Sequence, residues 1–572
     1  MNKARKSMAW IVCVFMLVSV VAACSNNVPG NNGDGTNKPG TPATENTKGN
    51  NQAEEDAGVL LPYTGDKIVY KAFGADLNMS EDANSPIFQA YQQKLGNVSF
   101  EWDMLPFSEY DNKIKLFLSS GDLPDLMWMR DSLKNSQTYG ESGMFLDFEL
   151  YKDYMPNLQA AIKKYPAINY LLNDKGQRFA LPNIMGTDYA GEGFMYNKTL
   201  LDRLNIAVPT TVEEFYDAML AIKAKEPEVI PFLTDGGGTP GADYTLYALA
   251  NMFGTGSTNG FTPSGGDFKY DKASGKWSFV PVDDPAYKDF LAFTSNMYND
   301  GLLDPAIVSM SSDAAKAKLQ QGNWAFTYNY VSVIDGAYWP VMQGKEVPIE
   351  VEPMISPAYN GKSNYFLTVI HDGAPYWGYF ASAKVKNPEL LAATLDQIYD
   401  PEMMDLYNWG LEGVSYTNDN GKRKFTDEVI SGEFDFNTQR FMLLRYVTIA
   451  PPLYSNDWSL AQLPITKKNA HFFLQALDEG KMQPTFTYPL PSMTTEQTDE
   501  FAKIMTPIRT YVKESELKFL TGKTSVAEWD SYIEEMKRFG DVSEAISLLD
   551  NGENFDLGER MVTKPDEVYG VE

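Results

Sequence analysis

Strand-like and helix-like segments alternate regularly over residues 67–129, and this rhythm constrains the fold more than any other feature of the sequence. Apolar, strand-like runs occupy Lys67–Phe73, Val98–Met104 and Asp125–Met129. Between them lie Pro86–Leu95 and Ser108–Leu118, in which apolar residues recur at helical spacing. Strands that alternate with helices in this way form parallel sheets covered by helices. We therefore expect an α/β fold.

The rest of the chain continues this mixture. Thr211 and Glu214 have the spacing of a capping box, which predicts a helix that runs to about Lys225. A hairpin is predicted over Phe268–Val280, around Ser274-Gly275. Further predicted elements are strands at Gly176–Pro182, Phe194–Tyr196, Trp324–Tyr328 and Tyr376–Ala383, helices at Pro285–Tyr298, Asp313–Gln321 and Pro388–Tyr399, and a mostly helical stretch from Thr494 onward.

The first 24 residues have the pattern of an export signal that ends in a cysteine. Basic residues precede an apolar run, Met8–Val21, which is too short to span a membrane comfortably. Small residues then lead to Cys24, as in a bacterial lipobox, so Cys24 is expected to carry a lipid. The alternative is an ordinary secretory signal with a chance cysteine. Residues 25–57 are polar and predict a flexible tether, which would hold the body at the extracellular face of the cytoplasmic membrane.

Composition excludes several classes of function. The formal charge of −28, which becomes −31 when the leader removes three basic residues, disfavours nucleic acid as a partner. His371 and His471 are the only histidines, so a multi-histidine metal centre is excluded, and no cofactor is expected. Both cysteines, Cys13 and Cys24, lie at the N-terminus, so the body has no disulfide framework. The 33 tyrosines, 32 phenylalanines and 10 tryptophans are many for a soluble acidic chain, and part of them is expected to bind ligand.

Four motifs behind the lipobox carry a resemblance to a known family. They are Ser119–Asp125 after a helix, Met195–Asp202 followed by Val208–Thr211, Gln321–Phe326, and Gly410–Tyr416. In this order they resemble the extracellular solute-binding proteins of family 1, the carbohydrate receptors of ABC importers. The similarity is strongest to the long oligosaccharide-binding lipoproteins of Gram-positive bacteria. The motifs themselves are helix stops and caps, so they indicate the fold and bind nothing.

The resemblance implies a periplasmic-binding-protein-like fold of type II, with two α/β lobes, a hinge of crossing strands and an interlobe cleft. It places the N-terminal lobe at residues 58–190 and 378–450, and the C-terminal lobe at residues 191–377 and 451–572. A monomer that delivers an oligosaccharide to membrane permease subunits is expected. Some long family members carry an EF-hand-like calcium loop after the helix that follows the Pro-Thr-Thr motif. Here that place holds Ala224–Pro231, which lacks the ligand spacing, so no calcium is expected there.

Candidate ligand-binding residues come from the ends of predicted strands and from the expected lobe crossings. Ligands of open α/β sheets lie beyond the carboxyl ends of the strands. Sugars present apolar faces that pack on aromatic rings, and hydroxyls that hydrogen-bond to carboxylates, amides and arginine. The candidates are Asp76, Asn78, Trp128, Arg130, Asp131, Tyr189, Glu192, Tyr244, Tyr328, Tyr330, Tyr376, Trp377, Trp409 and Glu412.

Two other classes of function stay open from the sequence alone. A secreted glycoside hydrolase needs a pair of carboxylates, which a chain with 76 acidic residues always offers. A receptor for a peptide or another polar solute is the other alternative, and Arg130 could hold one carboxylate, so a sugar that contains uronate is also compatible. For the sugar receptor, we expect Trp128 and Tyr328 to stack on the ligand from opposite lobes.

Overall fold

The computed structural model describes residues 61–76, 84–130, 132–164, 166–173, 175–183, 192–235, 241–256, 266–331, 334–335, 339–368, 377–430, 443–444, 464–487, 490–491, 493–552 and 554. The strands are β1 (Tyr63–Ala75), β2 (Gly96–Leu105), β3 (Leu126–Met129), β4 (Leu181–Asn183), β5 (Glu192–Asn197), β6 (Ile230–Phe232), β7 (Phe268–Asp271), β8 (Lys276–Phe279), β9 (Trp324–Tyr330), β10 (Val351–Pro353), β11 (Asn364–Thr368), β12 (Trp377–Ala381), β13 (Tyr416–Asp419), β14 (Lys422–Phe425) and β15 (Gln483–Thr487).

The α-helices surround these strands. They are α1 (Pro86–Leu95), α2 (Phe107–Ser120), α3 (Ser132–Tyr139), α4 (Pro156–Lys164), α5 (Lys198–Leu204), α6 (Val212–Lys225), α7 (Gly241–Phe253), α8 (Val280–Asp283), α9 (Pro285–Asn299), α10 (Ser312–Gln321), α11 (Trp339–Gln343), α12 (Pro388–Asp396), α13 (Pro401–Trp409), α14 (Asp427–Ile430), α15 (Pro464–Asp478), α16 (Thr495–Leu520), α17 (Trp529–Met536) and α18 (Val542–Asn551).

The first sheet has the order β2-β1-β3-β12-β4. β1 pairs in parallel with β2 and β3, whereas β12 is antiparallel to both β3 and β4. The predicted parallel sheet over residues 67–129 is therefore confirmed. Helix α1 has the predicted bounds because Ser85 accepts a hydrogen bond from the backbone N–H of Ile87 and Pro86 occupies the first turn. Helix α2 ends at Ser120 and is followed by Gly121, which takes the left-handed conformation at φ 67°.

One predicted strand of this sheet begins later than expected. The sequence predicts a strand over Gly176–Pro182, but β4 starts at Leu181. Arg178 turns into the protein instead, where it is 1% exposed and its guanidinium donates to the carbonyl of Ile168 at 2.7 Å. It also pairs with Glu149 at 2.8 Å. The backbone of Arg178 pairs with Leu172 in an isolated bridge and does not join the sheet.

The second sheet has the order β10-β5-β9-β6. β5 is antiparallel to β10 and β9, and β6 runs parallel to β9. The predicted helix after Thr211 is confirmed, since the Thr211 hydroxyl accepts the N–H of Glu214 at 3.2 Å. The return bond differs from a capping box, because the Glu214 carboxylate accepts from the N–H and the hydroxyl of Thr210.

Smaller elements complete the body. The predicted hairpin is β7–β8, and β11 and β15 form a parallel pair that the sequence does not predict. The predicted helix at Pro388–Tyr399 is α12 followed by a 3-10 turn. α16 is the longest helix of the predicted helical C-terminal region and contains Pro507. Among the described residues, every helix is either too short or too polar to cross a membrane.

Candidate functional site

An aromatic cluster lies at the edge of the first sheet where β3 ends and β12 begins. The rings of Trp128 and Trp377 stack with centroids 4.2 Å apart and planes 22° apart. This contact follows from the register, in which β12 runs antiparallel to β3 and brings Trp377 back beside the end of β3. Tyr110 of α2 completes the cluster, with its ring 6.2 Å from that of Trp377. We call these residues, with Arg130, the tryptophan cluster.

Arg130 is the cation of the tryptophan cluster, and its charge is already paired. Its guanidinium forms an ion pair with Asp111 of α2. It also lies over the rings of Trp377 and Tyr110, at 5.7 Å and 5.9 Å from their centroids. The side chain of Arg130 is 24% exposed, and that of Asp111 is 52% exposed. A ligand at this edge would therefore meet a neutral pair bordered by aromatic rings.

The two tryptophans differ in what they can offer to a ligand. Trp128 is only 5% exposed, whereas Trp377 is half-buried. The indole Nε1 of Trp128 is buried and has no hydrogen-bond partner among the described residues. Trp128 is thus covered by Trp377, and Trp377 is the tryptophan of the pair that solvent reaches. The expectation that Trp128 itself stacks on a sugar differs from this arrangement.

A second cluster surrounds Glu192 at the edge of the second sheet. The register pairs Glu192, the first residue of β5, with Tyr330, the last residue of β9. One carboxylate oxygen of Glu192 accepts hydrogen bonds from the hydroxyls of Tyr247 at 3.1 Å and Tyr328 at 3.2 Å. The hydroxyls of Tyr244 and Tyr330 face the same carboxyl. We call Glu192 and these four tyrosines the Glu192 cluster.

Burial governs the protonation of the Glu192 cluster. It raises the pKa of the Glu192 carboxyl, while the hydrogen bonds from the surrounding tyrosines oppose that rise. Burial and the nearby Glu192 charge raise the pKa of Tyr247 well above its usual value, and burial does the same for Tyr328. These hydroxyls therefore remain protonated donors at neutral pH.

Three further residues organise this cluster and were missed by the sequence reasoning. Asn251 donates from Nδ2 to the hydroxyl oxygen of Tyr328 at 3.1 Å. Tyr365 of β11 donates to the backbone carbonyl of Glu192. Tyr247 and Asn251 lie three and seven residues after Tyr244 on α7, so one helix face carries all three side chains. That spacing is visible in the sequence and could have identified Tyr247 and Asn251.

Tyr328 is only 4% exposed, so it also cannot present a ring face to a ligand. Its ring is enclosed by Phe194, Tyr244 and Tyr247. Tyr330, by contrast, is 36% exposed at the end of β9. The expected platform role of Tyr328 thus differs from its position, and Tyr330 is the tyrosine of this cluster that solvent reaches.

A small cavity borders the Glu192 cluster. Its polar lining includes Asn251, Tyr328 and Ser356. The hydroxyl of Ser356 is buried without a hydrogen-bond partner in the described part of the chain. The interior has room for about one water molecule. The cavity is therefore too small to hold a sugar.

Both clusters adjoin the same two connections between the sheets. Asn183, which pairs with Trp377, is the last residue of β4, and nine residues later the chain begins β5 at Glu192. β11 likewise leads to β12, which begins at Trp377. Nine residues span at most about 30 Å. The Cα atoms of Asn183 and Glu192 are therefore at most about 30 Å apart.

The remaining predicted site residues lie elsewhere or outside the described residues. Asp76 is exposed at the end of β1, as expected from its place after a strand. Trp409 is 4% exposed and stacks on Phe425, with centroids 4.8 Å apart, in a separate apolar cluster. Glu412 is exposed beyond α13. The candidates outside the described residues are Asn78, Asp131, Tyr189 and Tyr376.

The described residues hold no group of three or more His, Cys, Asp or Glu side chains that could bind a metal ion. At the position of the family's calcium loop, α6 ends at Lys225 and β6 begins at Ile230. The four residues between them are far fewer than the twelve of an EF-hand loop.

The described geometry can be compared with known proteins. The model of the bacterial extracellular solute-binding protein family matches residues 78–404, which is more than half of the chain. The chain belongs to this family. The prediction from the four motifs is thereby confirmed.

Relatives of this solute-binding protein extend the similarity over most of its length. The fructooligosaccharide ABC transporter substrate-binding protein FusA of Streptococcus pneumoniae is 22% identical over 513 residues, which cover 84% of this chain and 89% of FusA. The polygalacturonan/rhamnogalacturonan-binding protein YtcQ of Bacillus subtilis is 22% identical over 461 residues, which cover 78% of this chain and 84% of YtcQ.

Solved structures show the same fold. The alginate-binding protein AlgQ2 without calcium ion matches with a TM-score of 0.70 at 20% identity and covers 86% of this chain and 98% of its own. FusA of S. pneumoniae in complex with kestose matches with a TM-score of 0.65 at 20% identity, and the match covers 84% of this chain and 98% of the FusA chain. The predicted type II periplasmic-binding-protein-like α/β fold is confirmed.

Proposed function

We propose that this solute-binding protein captures an oligosaccharide outside the cell and delivers it to the membrane permease of an ABC importer. The observation that carries the proposal is the Trp128–Trp377 stack beside a paired arginine at the sheet edge. Flat aromatic faces next to a few fixed polar groups suit the apolar faces and hydroxyls of sugars. The proposal is also supported by relatives whose names state fructooligosaccharide or polygalacturonan binding.

Each cluster has a distinct role in this proposal. Trp377 packs against one sugar ring, with Trp128 as its backing. Tyr330 and the Glu192 carboxyl hydrogen-bond to hydroxyls of another sugar unit. A ligand held by both clusters has contacts in the closed form that the open form lacks, and this difference drives closure.

The lobes of the proposed cleft are residues 58–190 with 378–450, and residues 191–377 with 451–572. The composition of the two sheets supports this division. β1–β4 and β12 form the first sheet, and β5, β6, β9 and β10 form the second. The hinge then comprises the connections from β4 to β5 and from β11 to β12.

The protein is proposed to act as a lipid-anchored monomer without enzymatic activity. Cys24 would carry the lipid at the extracellular face of the cytoplasmic membrane, with residues 25–57 as the tether. The homologue LipO, a lipoprotein of Bacillus subtilis, supports the anchor. Expression of Cys24→Ala in a Gram-positive host should move the protein from the membrane fraction to the medium. Retention of this variant in the membrane fraction would contradict the anchor.

One experiment separates binding from the alternative activities. The purified body is incubated with neutral and acidic oligosaccharides and with a peptide mixture, and thermal shift and new reducing ends are both measured. A rise of Tm with a sugar, without new reducing ends, supports the receptor. New reducing ends indicate a glycoside hydrolase, and a shift with peptides alone indicates a peptide receptor.

A further inference from the structure

The charges around the site bear on which sugars this protein accepts, provided that the proposed function is correct. Among the described residues of the two clusters, Arg130 is the cation and Glu192 is the carboxyl group. The guanidinium of Arg130 already has Asp111 as its counter-ion. A carboxylate of a ligand would have to compete with Asp111 for this cation.

The hydrogen-bond directions in the Glu192 cluster also disfavour a ligand that carries a carboxylate. The Tyr328 oxygen accepts from Asn251, so its single proton is directed at the Glu192 carboxylate. Tyr247 also donates to this carboxylate. Since both protons are directed at Glu192, neither of these two buried hydroxyls has a proton left to donate to a ligand carboxylate. The Glu192 carboxyl itself accepts hydrogen bonds and repels a carboxylate when it is ionised.

The protonation state of Glu192 does not change this conclusion. The groups that face it are the hydroxyls of Tyr244 and Tyr247 on α7 and of Tyr328 and Tyr330 on β9. None of these is a cation. An ionised Glu192 repels a uronate, and a protonated Glu192 supplies no positive charge to compensate one.

We propose that the site selects uncharged oligosaccharides and rejects uronic-acid oligomers, and that the Arg130–Asp111 pair enforces this selection. The relatives do not decide this question, because FusA is named for fructooligosaccharides and YtcQ for polygalacturonan. The proposed selection for uncharged sugars rests on the charged groups of the two clusters. Asp111 cancels the charge that a uronate would otherwise use, and the groups that face Glu192 include no cation.

The test compares affinities for matched sugars. Calorimetric titration uses kestose and 4-linked trimers of galactose, glucose and mannose, each trimer beside its counterpart oxidised at C6 to the uronate. We expect binding to at least one neutral sugar, and at least tenfold weaker binding to every uronate counterpart. Affinity for a uronate that equals or exceeds that for its neutral counterpart overturns the proposal. Absence of binding to every sugar contradicts the proposed function itself.

Asp111→Asn tests the role of the ion pair. This variant should release Arg130 and raise uronate affinity about tenfold, with the affinity for the neutral sugar changed less than about threefold. The chain offers a matched control in Arg423, which pairs with Asp405 and lies over the rings of Trp409 and Tyr416. Asp405→Asn removes the same charge from an equivalent pair outside the site and should leave both affinities unchanged. The role of Asp111 is overturned if Asp111→Asn leaves the ratio of uronate affinity to neutral-sugar affinity unchanged, or if Asp405→Asn changes this ratio equally.

Discussion

Removal of the Trp377 ring should abolish most of the sugar affinity while the protein remains folded. Trp377→Ala removes the stack of this ring on Trp128, which is worth about 0.5–1.5 kcal/mol. It also removes the contact of the ring with the Arg130 guanidinium, which is worth about 0.5–1 kcal/mol at a solvent-accessible site. These two contacts account for about 1–2.5 kcal/mol of the free energy of unfolding, and the lost burial of the half-buried ring adds to the cost of Trp377→Ala. Folded domains are stable by about 5–15 kcal/mol, so the variant should remain folded.

The expected effect on binding is larger. Tryptophans that anchor a ligand cost about 2 kcal/mol or more when truncated, which corresponds to a loss of about 30-fold in affinity. Calorimetric titration with the best-bound neutral sugar measures this loss, and urea unfolding confirms that the variant is folded. Trp377→Phe keeps a ring face and should retain most of the affinity. Trp409→Phe, in the separate buried cluster, should leave affinity unchanged. A folded Trp377→Ala variant with affinity within about threefold of wild type would refute the reasoning.

Three further predictions concern the second sheet and its supports. Tyr328→Phe leaves the buried amide of Asn251 without its acceptor and should cost about 1–3 kcal/mol of stability, measured by urea unfolding. Burial raises the pKa of the Asp335 carboxyl to about 7 from its ordinary 3.8. The protonated carboxyl therefore stabilises the fold fully below about pH 4, and this contribution is lost as the pH rises through about 7. Asp335→Asn should therefore gain stability over wild type by up to about 4 kcal/mol at about pH 8 and much less at about pH 4, since each pKa unit is worth about 1.4 kcal/mol. In Gly193→Ala the added methyl would overlap the Phe473 ring, so Tm should fall, with a loss of about 1–3 kcal/mol, and a wild-type Tm would contradict the packing at this position.

The sequence predicts the local elements well because their signals are local. Ser85 and Pro86 define the start of α1, and Thr211 caps α6. Strands β1, β2 and β3 have the apolar runs that identify them, and their parallel order follows from the helices between them. β11 and β15 escape prediction because they pair with each other over more than a hundred residues, which no local pattern reveals.

The candidate site residues come together through pairing between distant strands. Glu192, a candidate from the expected lobe crossing, lies beside Tyr330, a candidate from a strand end, because the register of β5 and β9 pairs them. Local patterns do not predict how exposed such residues are, because exposure depends on packing against segments that are distant in the sequence. Trp128 is covered by Trp377, and Tyr328 is enclosed by residues of β5 and α7. The pairing of Arg130 with Asp111, on which the proposed selectivity rests, likewise appears only in three dimensions.

A crystal structure of the protein with its best-bound neutral oligosaccharide tests the central claim most directly. The account predicts one sugar ring packed against the side chain of Trp377, and hydroxyls of the same ligand within about 3.5 Å of Tyr330 or the Glu192 carboxylate. It also predicts that Arg130 remains paired with Asp111 in the complex. A sugar that contacts neither Trp377 nor the Glu192 cluster would contradict the account.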